Sequence, residues 1–411
     1  MFSRVISITL LKQNYKKLNI TCSNENKLKR TYILTKKTPQ LNQSNRFKLY
    51  NMTNNSPLKD TFNRLIENEF WYLYKHFPKV IIDSFKDDDC AKYIYDMFKK
   101  QTILDNNLYS LDDILERVKL LRQYRIQLNN LLEMPQVQQR SPEWYDLRKE
   151  RLTASATAQA IGKGKFGNRN QLLQSKAFPE NDKWLPNTYG PMYHGTMLEA
   201  MSARCYSQRN NDMLIHDFGM IKHPKISCYG ASPDGITEMG IMIEIKTPYR
   251  RQVDGNIPEE YLLQMQGQMA ACGLLECEFV DCKIDILFNE TTYLNDTKGK
   301  VDHGIIIEHR DTLGNPTFIY SPEYLTPPEC IIWKNSYKEK YTKISYWKLY
   351  KIIPTRVYFD EKLWNDLVPQ IEIFWNDVLL LRTQGIKRCK SKETDNKNKK
   401  QKYDFIDSDE E

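Results

Sequence analysis

The chain has 411 residues, 40% of them hydrophobic, which is enough apolar material for two or three domains or one decorated one. Nine cysteines, an odd number with no Cys-x-x-Cys pair, argue against a disulfide framework and point to reduced thiols in an intracellular protein. The formal charge of +8 sits at the ends: residues 1–52 carry +10, 386–402 carry +6 and 403–411 carry −5. The remaining 53–385 carries −3, which excludes a globally basic body, and no apolar run is long enough to span a membrane.

Residues 1–52 are rich in Lys, Asn, Ser and Thr and read as a basic leader of low order. Arg4, Lys12, Lys16 and Lys17 among Ile and Leu, with no acid in the first twenty residues, also fit a mitochondrial-type presequence. Residues 53–135 read as a helical region. Pro57 opens it, Phe62, Leu65, Ile66, Phe70 and Leu73 recur at helical spacing, and Ser110 with Asp113 makes a capping box. This region shows no chemistry and reads as a packing or partner-binding module.

From Ser141 the character changes. A helix containing Trp144 and Arg148 leads through a short turn to Thr153 and Ser155 at another helix start. Small hydroxyls there, beside an arginine, make a phosphate seat. Gly162, Gly164 and Gly167, with Lys163, Lys165 and Arg169, read as either a backbone clamp for DNA or a solvated turn. Residues 189–204 read mainly as a helix, with Gly195 one turn before Glu199 on the same face, so that a backbone or phosphate can approach that acid. His194 reads as structural.

Residues 229–248 carry the densest chemistry. Ser232-Pro233-Asp234-Gly235 is a turn that pins Asp234 at a strand end. Ile241–Ile245, closed by Pro248, reads as a strand with Glu244 and Lys246 on one side and Ile243 and Ile245 on the other. Reversal over Thr237–Gly240 brings Asp234 beside Glu244 at the open end of a hairpin. Two adjacent carboxylates repel unless a cation lies between them, and hard oxygens suit Mg2+ or Mn2+. An ordinary charged surface hairpin is the alternative reading.

A helix over Glu259–Gly273 follows, with Tyr261, Gln264 and Gln268 along one face and Gln266 elsewhere. Cys272, Cys277 and Cys282 are evenly spaced, as in an iron–sulfur site, but straddle a helix end and a strand and so read as buried. Strands are expected at 279–288, 303–308 and Tyr350–Tyr358, where Pro354 marks an edge or a bend. Asp360 caps a long helix through Leu363, Trp364, Leu367, Ile371 and Trp375, with Pro369 inside it. The charged tail, 386–411, reads as disordered.

Four blocks in this order resemble the YqaJ viral recombinase family, which includes phage lambda exonuclease and belongs to the PD-(D/E)XK nuclease superfamily. They are Trp144-x-x-Leu147-Arg148 with Thr153-Ala154-Ser155, Gly195-x-x-x-Glu199, Ser232-Pro233-Asp234-Gly235 with Glu244-x-Lys246, and Tyr261-x-x-Gln264-x-Gln266. The resemblance covers roughly 140–290, within a domain drawn as 136–385. It implies an α/β (α+β) core, a mixed sheet flanked by helices. Glu199, Asp234, Glu244 and the Ile245 backbone carbonyl become ligands of Mg2+ or Mn2+, two ions per site. Lys246 becomes the residue that orients and deprotonates water, and Gln264 a polar site residue. Arg148, Ser155, Thr153 and Gly195 become DNA contacts. The implied activity is 5′→3′ exonucleolysis at double-stranded DNA ends in viral-type recombination or replication. A single-strand annealing protein and a homotrimer are the implied partners, with no membrane. The host cytoplasm or nucleus is the expected compartment ahead of the mitochondrion. A structure-specific endonuclease of the same fold and a non-catalytic DNA-binding scaffold are the competing readings.

Overall fold

The computed structural model describes residues 57–77, 85–100, 110–165, 167–179 and 188–383; the leader, the presequence reading and the charged tail lie outside them. The chain forms two compact units, divided at Lys119/Leu120. That point falls inside a helix that the sequence reading assigned whole to 53–135, so the second unit begins earlier than residue 136.

The first unit contains α1 (Pro57–His76), α2 (Asp87–Lys100) and the start of α3 (Leu111–Glu133). Their ends follow helix electrostatics: Asp87, Asp88 and Asp89 open α2, while Lys99 and Lys100 close it. Ser110 and Asp113 cap α3 reciprocally, Ser110 N–H to Asp113 Oδ2 at 2.6 Å and Asp113 N–H to Ser110 Oγ at 3.2 Å. Phe62, Ile66, Phe70 and Leu73 of α1 are buried with Ile94, Met97 and Phe98 of α2. Arg117 pairs with Glu67 in this interior.

The second unit is built on a seven-stranded mixed sheet, in the order β2-β5-β6-β7-β10-β8-β9. The strands are β2 (Ile215–His216), β5 (Gly235–Thr237), β6 (Met242–Lys246), β7 (Glu276–Leu287), β8 (His303–Arg310), β9 (Pro316–Tyr320) and β10 (Lys343–Tyr358). A smaller sheet pairs β1 (Leu152–Thr153), β4 (Tyr229–Ala231) and β3 (Ile221–Lys222). Only β6 and β7 run parallel within the large sheet, and the helix α8 (Glu259–Cys272), ended by Gly273, connects them.

The alternation of β6 distributes its side chains. Ile243 and Ile245 pack with Val280 and with Ala203 and Tyr206 of α7 (Gly190–Arg209). Met242 packs with Met265, Met269 and Cys272 of α8 on the opposite face. Glu244 and Lys246 share the parity of Met242 and therefore face α8. The C-terminal part of α3 joins the same core through Leu128 and Leu131. The last helix, α11 (Glu361–Thr383), runs through Pro369 and buries Trp364, Leu367, Ile371, Phe374 and Trp375 against Leu152, Ala158 and Leu172. Asp360 caps it, accepting the Leu363 N–H at 2.9 Å.

One expectation needs amendment, and the reading of the three cysteines as buried holds. The last strand begins at Lys343 rather than Tyr350 and lies inside the sheet. It pairs with β8 only through Lys348, so Pro354, opposite Val280 of β7, sits where β10 has that one partner, as at an edge. Cys272, Cys277 and Cys282 are all buried, and burial raises each thiol, Cys272 and Cys282 to about 12. Cys272 and Cys277 pack with Met242 and Met269, and Cys282 packs separately with Trp347 and Ile306, as core residues.

Candidate active site

Asp234 is placed by β5, whose pairing with β6 sets Gly235 opposite Ile243 and Ile236 opposite Met242. The reversal is the expected one: the Gly240 N–H donates to the Thr237 carbonyl at 2.7 Å, and Gly240 has φ 75°. The hairpin is open at the other end, where the Ile245 N–H donates to Asp234 Oδ2 at 2.7 Å. The expected adjacency of Asp234 and Glu244 is thus held by a side-chain-to-backbone hydrogen bond, from the residue after Glu244 to the Asp234 carboxylate.

Glu244 is fully buried and held on both oxygens. Lys246 Nζ (2.5 Å) and Gln264 Nε2 (2.7 Å) donate to Oε1, and Gln268 Nε2 donates to Oε2 at 2.7 Å. Gln264 and Gln268 are one helical turn apart on α8, which explains why both reach β6. Gln266 points away, donating to the Tyr358 carbonyl and accepting the Asp360 N–H. Lys246 also lies over the Tyr261 ring, at 4.7 Å. Glu199 enters from α7 and accepts from Arg140 Nη2 at 3.1 Å. Gly195, one turn earlier, has open space where a side chain would stand.

The three acids sense one another. Burial raises the Asp234 carboxyl well above the usual range, and the charges of Glu244 and Glu199 raise it further. Burial also raises Glu199; Arg140 and Lys246 pull it back, and Glu244 pushes it up again. Burial alone would lower the Lys246 ammonium, but Glu244 and Asp234 outweigh it and hold the lysine above its ordinary value. Lys246 is therefore protonated in this arrangement and acts as the counter-ion of Glu244. It cannot take a proton from water until that proton leaves.

Among the described residues, no three His, Cys, Asp or Glu side chains close around a common point tightly enough to hold an ion. In this arrangement Lys246 donates to Glu244, the Ile245 N–H to Asp234 and Arg140 to Glu199. The donor chemistry nonetheless fits a hard divalent cation. Three oxygen acids repel each other beneath two compensating cations, and the buried Gln268 Oε1 beside them has no donor among the described residues.

The expected phosphate seat is altered in form. The second helix start is a 3-10 turn, Ala154–Ala156, followed by the four-residue α5 (Thr157–Ala160), too short for a helix-end anion site. Thr153 is buried and its Oγ1 lies 3.2 Å from Ser155 Oγ, so it braces Ser155 instead of facing solvent; Ser155 is exposed. Arg148, on α4 (Pro142–Lys149), stacks over Trp144 at 4.3 Å. Burial lowers its pKa, and no carboxylate pairs with it among the described residues. Trp144 Nε1 in turn donates to Ser232 Oγ at 3.0 Å, which ties α4 to the Asp234 turn. The glycine-rich loop is not a free clamp: Lys163 pairs with Glu259 (2.6 Å) and Arg169 with Asp377 (2.5 Å). His194 is buried and meets Tyr249 edge-on, 5.2 Å between centroids, as a structural residue.

The sequence reading missed Arg140 and the direct contact of Gln268. The face shared by Gln264 and Gln268 was the available signal for the second; the first depends on backbone conformation, which leaves no motif.

A family model for the YqaJ-like viral recombinase domain matches residues 143–274. A relative described as uncharacterized protein R354 of Acanthamoeba polyphaga mimivirus is 26% identical over 310 residues, 63% of this chain and 56% of that protein. The chain thus spans about half the length of that curated relative. Among solved structures, the alkaline exonuclease of Laribacter hongkongensis aligns with a TM-score of 0.38 and 20% identity, over 59% of this chain and 95% of that one. A phage-related exonuclease from Haemophilus somnus 129PT aligns with a TM-score of 0.31 and 11% identity, over 57% of this chain and 94% of that one. Glu199, Asp234, Glu244 and Lys246 all lie within residues 143–274, the part of the chain that is similar to the YqaJ-like viral recombinase domain.

Proposed function

We propose that the chain is a Mg2+- or Mn2+-dependent DNA exonuclease that hydrolyses one strand of a duplex from its 5′ end, in the recombination or replication of a large DNA virus. The observation that carries this reading is the convergence of three mutually repelling acids, one from α7 and two from the β5–β6 hairpin, with Lys246 and an open space over Gly195. Like charges gathered around one fully buried member, Glu244, are costly to keep without a compensating ligand. Glu199, Asp234, Glu244 and the Ile245 carbonyl would hold the cation, one or two per site. When bound, such a cation neutralises phosphate charge and acidifies water.

The remaining work falls to side chains. Gln264 and Gln268 fix the Glu244 carboxylate, so that its orientation survives when Lys246 is displaced. Tyr261 keeps the lysine over the site through its ring face. Arg148 with Ser155 would hold a terminal phosphate, setting register and favouring ends over internal positions. The open space at Gly195 lets a strand reach the acids. A single-strand annealing partner and a ring-shaped homotrimer remain part of the proposal through family resemblance alone.

The test is digestion of an end-labelled linear duplex beside a covalently closed circle, with Mg2+ or EDTA, the 5′ end phosphorylated or not. Loss of the linear, 5′-phosphorylated duplex with Mg2+ alone is expected. Equal cutting of the circle would replace the exonuclease with an endonuclease sharing the same acids. No cutting of either substrate would leave a DNA-binding scaffold.

A further inference from the structure

Residues 136–140 form a strap between α3 and α4 that is pinned on both sides. Gln136 Nε2 donates to the Leu131 carbonyl at 3.0 Å, and its Oε1 accepts the Gly219 N–H at 3.1 Å. Gln139 Nε2 donates to the carbonyls of Phe218 (2.8 Å) and Pro233 (3.1 Å), the latter one residue before Asp234. Arg140 follows with φ 67°, and Ser141 then caps α4, accepting the Trp144 N–H. A long side chain in the left-handed region costs on the order of 1 kcal/mol, and strain of this kind persists where the surroundings over-determine it.

The strained backbone delivers the Arg140 guanidinium to Glu199 Oε2 through one contact at 3.1 Å. The side chain is 49% exposed, and this contact uses one of its five donors. This neutralisation differs from that of the other two acids. Asp234 and Glu244 are held by β6 and α8; Glu199 is held by an exposed arginine, and exposed pairs of this kind contribute about 0–1 kcal/mol. A cation on Glu199 would outcompete it, leaving a guanidinium beside the acids with nothing to bind. Arg148 lies at the far end of α4, whose eight residues rise about 12 Å, so the two arginines would serve different phosphates.

We propose that Arg140 is a phosphate-binding residue of this site, parked on Glu199 until a divalent cation takes that carboxylate, and then free to grip a backbone phosphate of the strand beside the acids. The proposal rests on the nuclease reading above.

The test measures binding of the full chain to a 5′-phosphorylated duplex across a KCl series, in Ca2+ and in EDTA, for wild type, Arg140→Lys, Arg140→Gln and Arg140→Gly. Glycine accepts the positive φ, so it serves if glutamine impairs folding. In Ca2+ the neutral variants should bind several-fold more weakly, with a slope of log K against log salt shallower by about one unit. Lysine should restore the slope. In EDTA all four slopes should agree. Equal slopes in Ca2+ would overturn the proposal, as would a shallower variant slope already present in EDTA. Mg2+-dependent cutting by wild type in the same preparation separates that outcome from failure of the nuclease reading, in which wild type does not cut, whether or not it binds.

Discussion

Asp234 shows how one residue can be costly to the fold and necessary to the site. Its half-buried carboxylate lies beside Glu244 and Glu199, whose charges act on it, and among the described residues its donor is the Ile245 N–H. In Asp234→Asn the side-chain carbonyl can still accept that N–H while the repulsion disappears. Thermal unfolding of the metal-free variant should therefore rise by a few degrees, corresponding to about 1 kcal/mol, while DNA cleavage falls to background. A lowered melting temperature would mean that the charge is compensated in the folded chain and would weaken the case for a cation. The residue types Asp234, Glu244 and Lys246 were legible because their spacing on a hairpin specifies which face each takes. Arg140 was not, because a left-handed arginine has no sequence pattern.

At the scale of elements, α8 and the β5–β6 hairpin position the site, and each rests on one close contact. On α8, a methyl group added at Gly267 would stand 1.9 Å from the Tyr229 hydroxyl. That ring is fully buried and donates to or accepts from Thr157 Oγ1 at 2.6 Å, so it cannot yield. Helix propensity favours Ala over Gly by about 1 kcal/mol, but overpacking costs about 1–3 kcal/mol and should win. Gly267→Ala should thus lower stability to chemical denaturation and displace Gln264 and Gln268 from Glu244. On the hairpin, Glu238 accepts from His216 (2.6 Å) and Arg125 (2.9 Å). Burial raises its carboxyl, but these two partners overcome that and hold it below the ordinary range. A depressed folded pKa contributes stability present above the unfolded value, near 4.3, and lost as pH falls through the folded one. Glu238→Gln should cost on the order of 1 kcal/mol at pH 7 and much less at pH 3, read by urea melts at the two pH values. Equal losses at both would show that charge is irrelevant there.

For the molecule as a whole, a cation that binds the folded acids and not the unfolded chain must raise stability by mass action. At one hundred times its dissociation constant the gain is about 2.7 kcal/mol, or about 5–10 °C in melting temperature for a unit of this size. Mn2+ or Mg2+ should produce that shift in wild type and not in Asp234→Asn, with EDTA reversing it. Absence of any shift would sink the cation reading and leave Lys246 and Arg140 as the permanent counter-ions.

Local patterns determined a good deal by themselves. Apolar periodicity placed α1, α7, α8 and α11, the Asp360 and Ser110 caps set two helix starts, and alternation assigned Glu244 and Lys246 to one face. These are short-range consequences of backbone geometry, readable within one or two turns of chain. Only the tertiary structure decided the rest. It brought Glu199 from a helix on one face of the sheet to acids on a hairpin, extended β10 back to Lys343 because β8 was there to pair with it, and spent Lys163 and Arg169, two of the three cations read with the glycine-rich loop, on Glu259 and Asp377. It also divided the continuous α3 between two units and set a strained Arg140 against Glu199. Each of these depends on which distant segment arrives as a neighbour, and hydrogen bonding and charge compensation act on neighbours in space rather than in sequence.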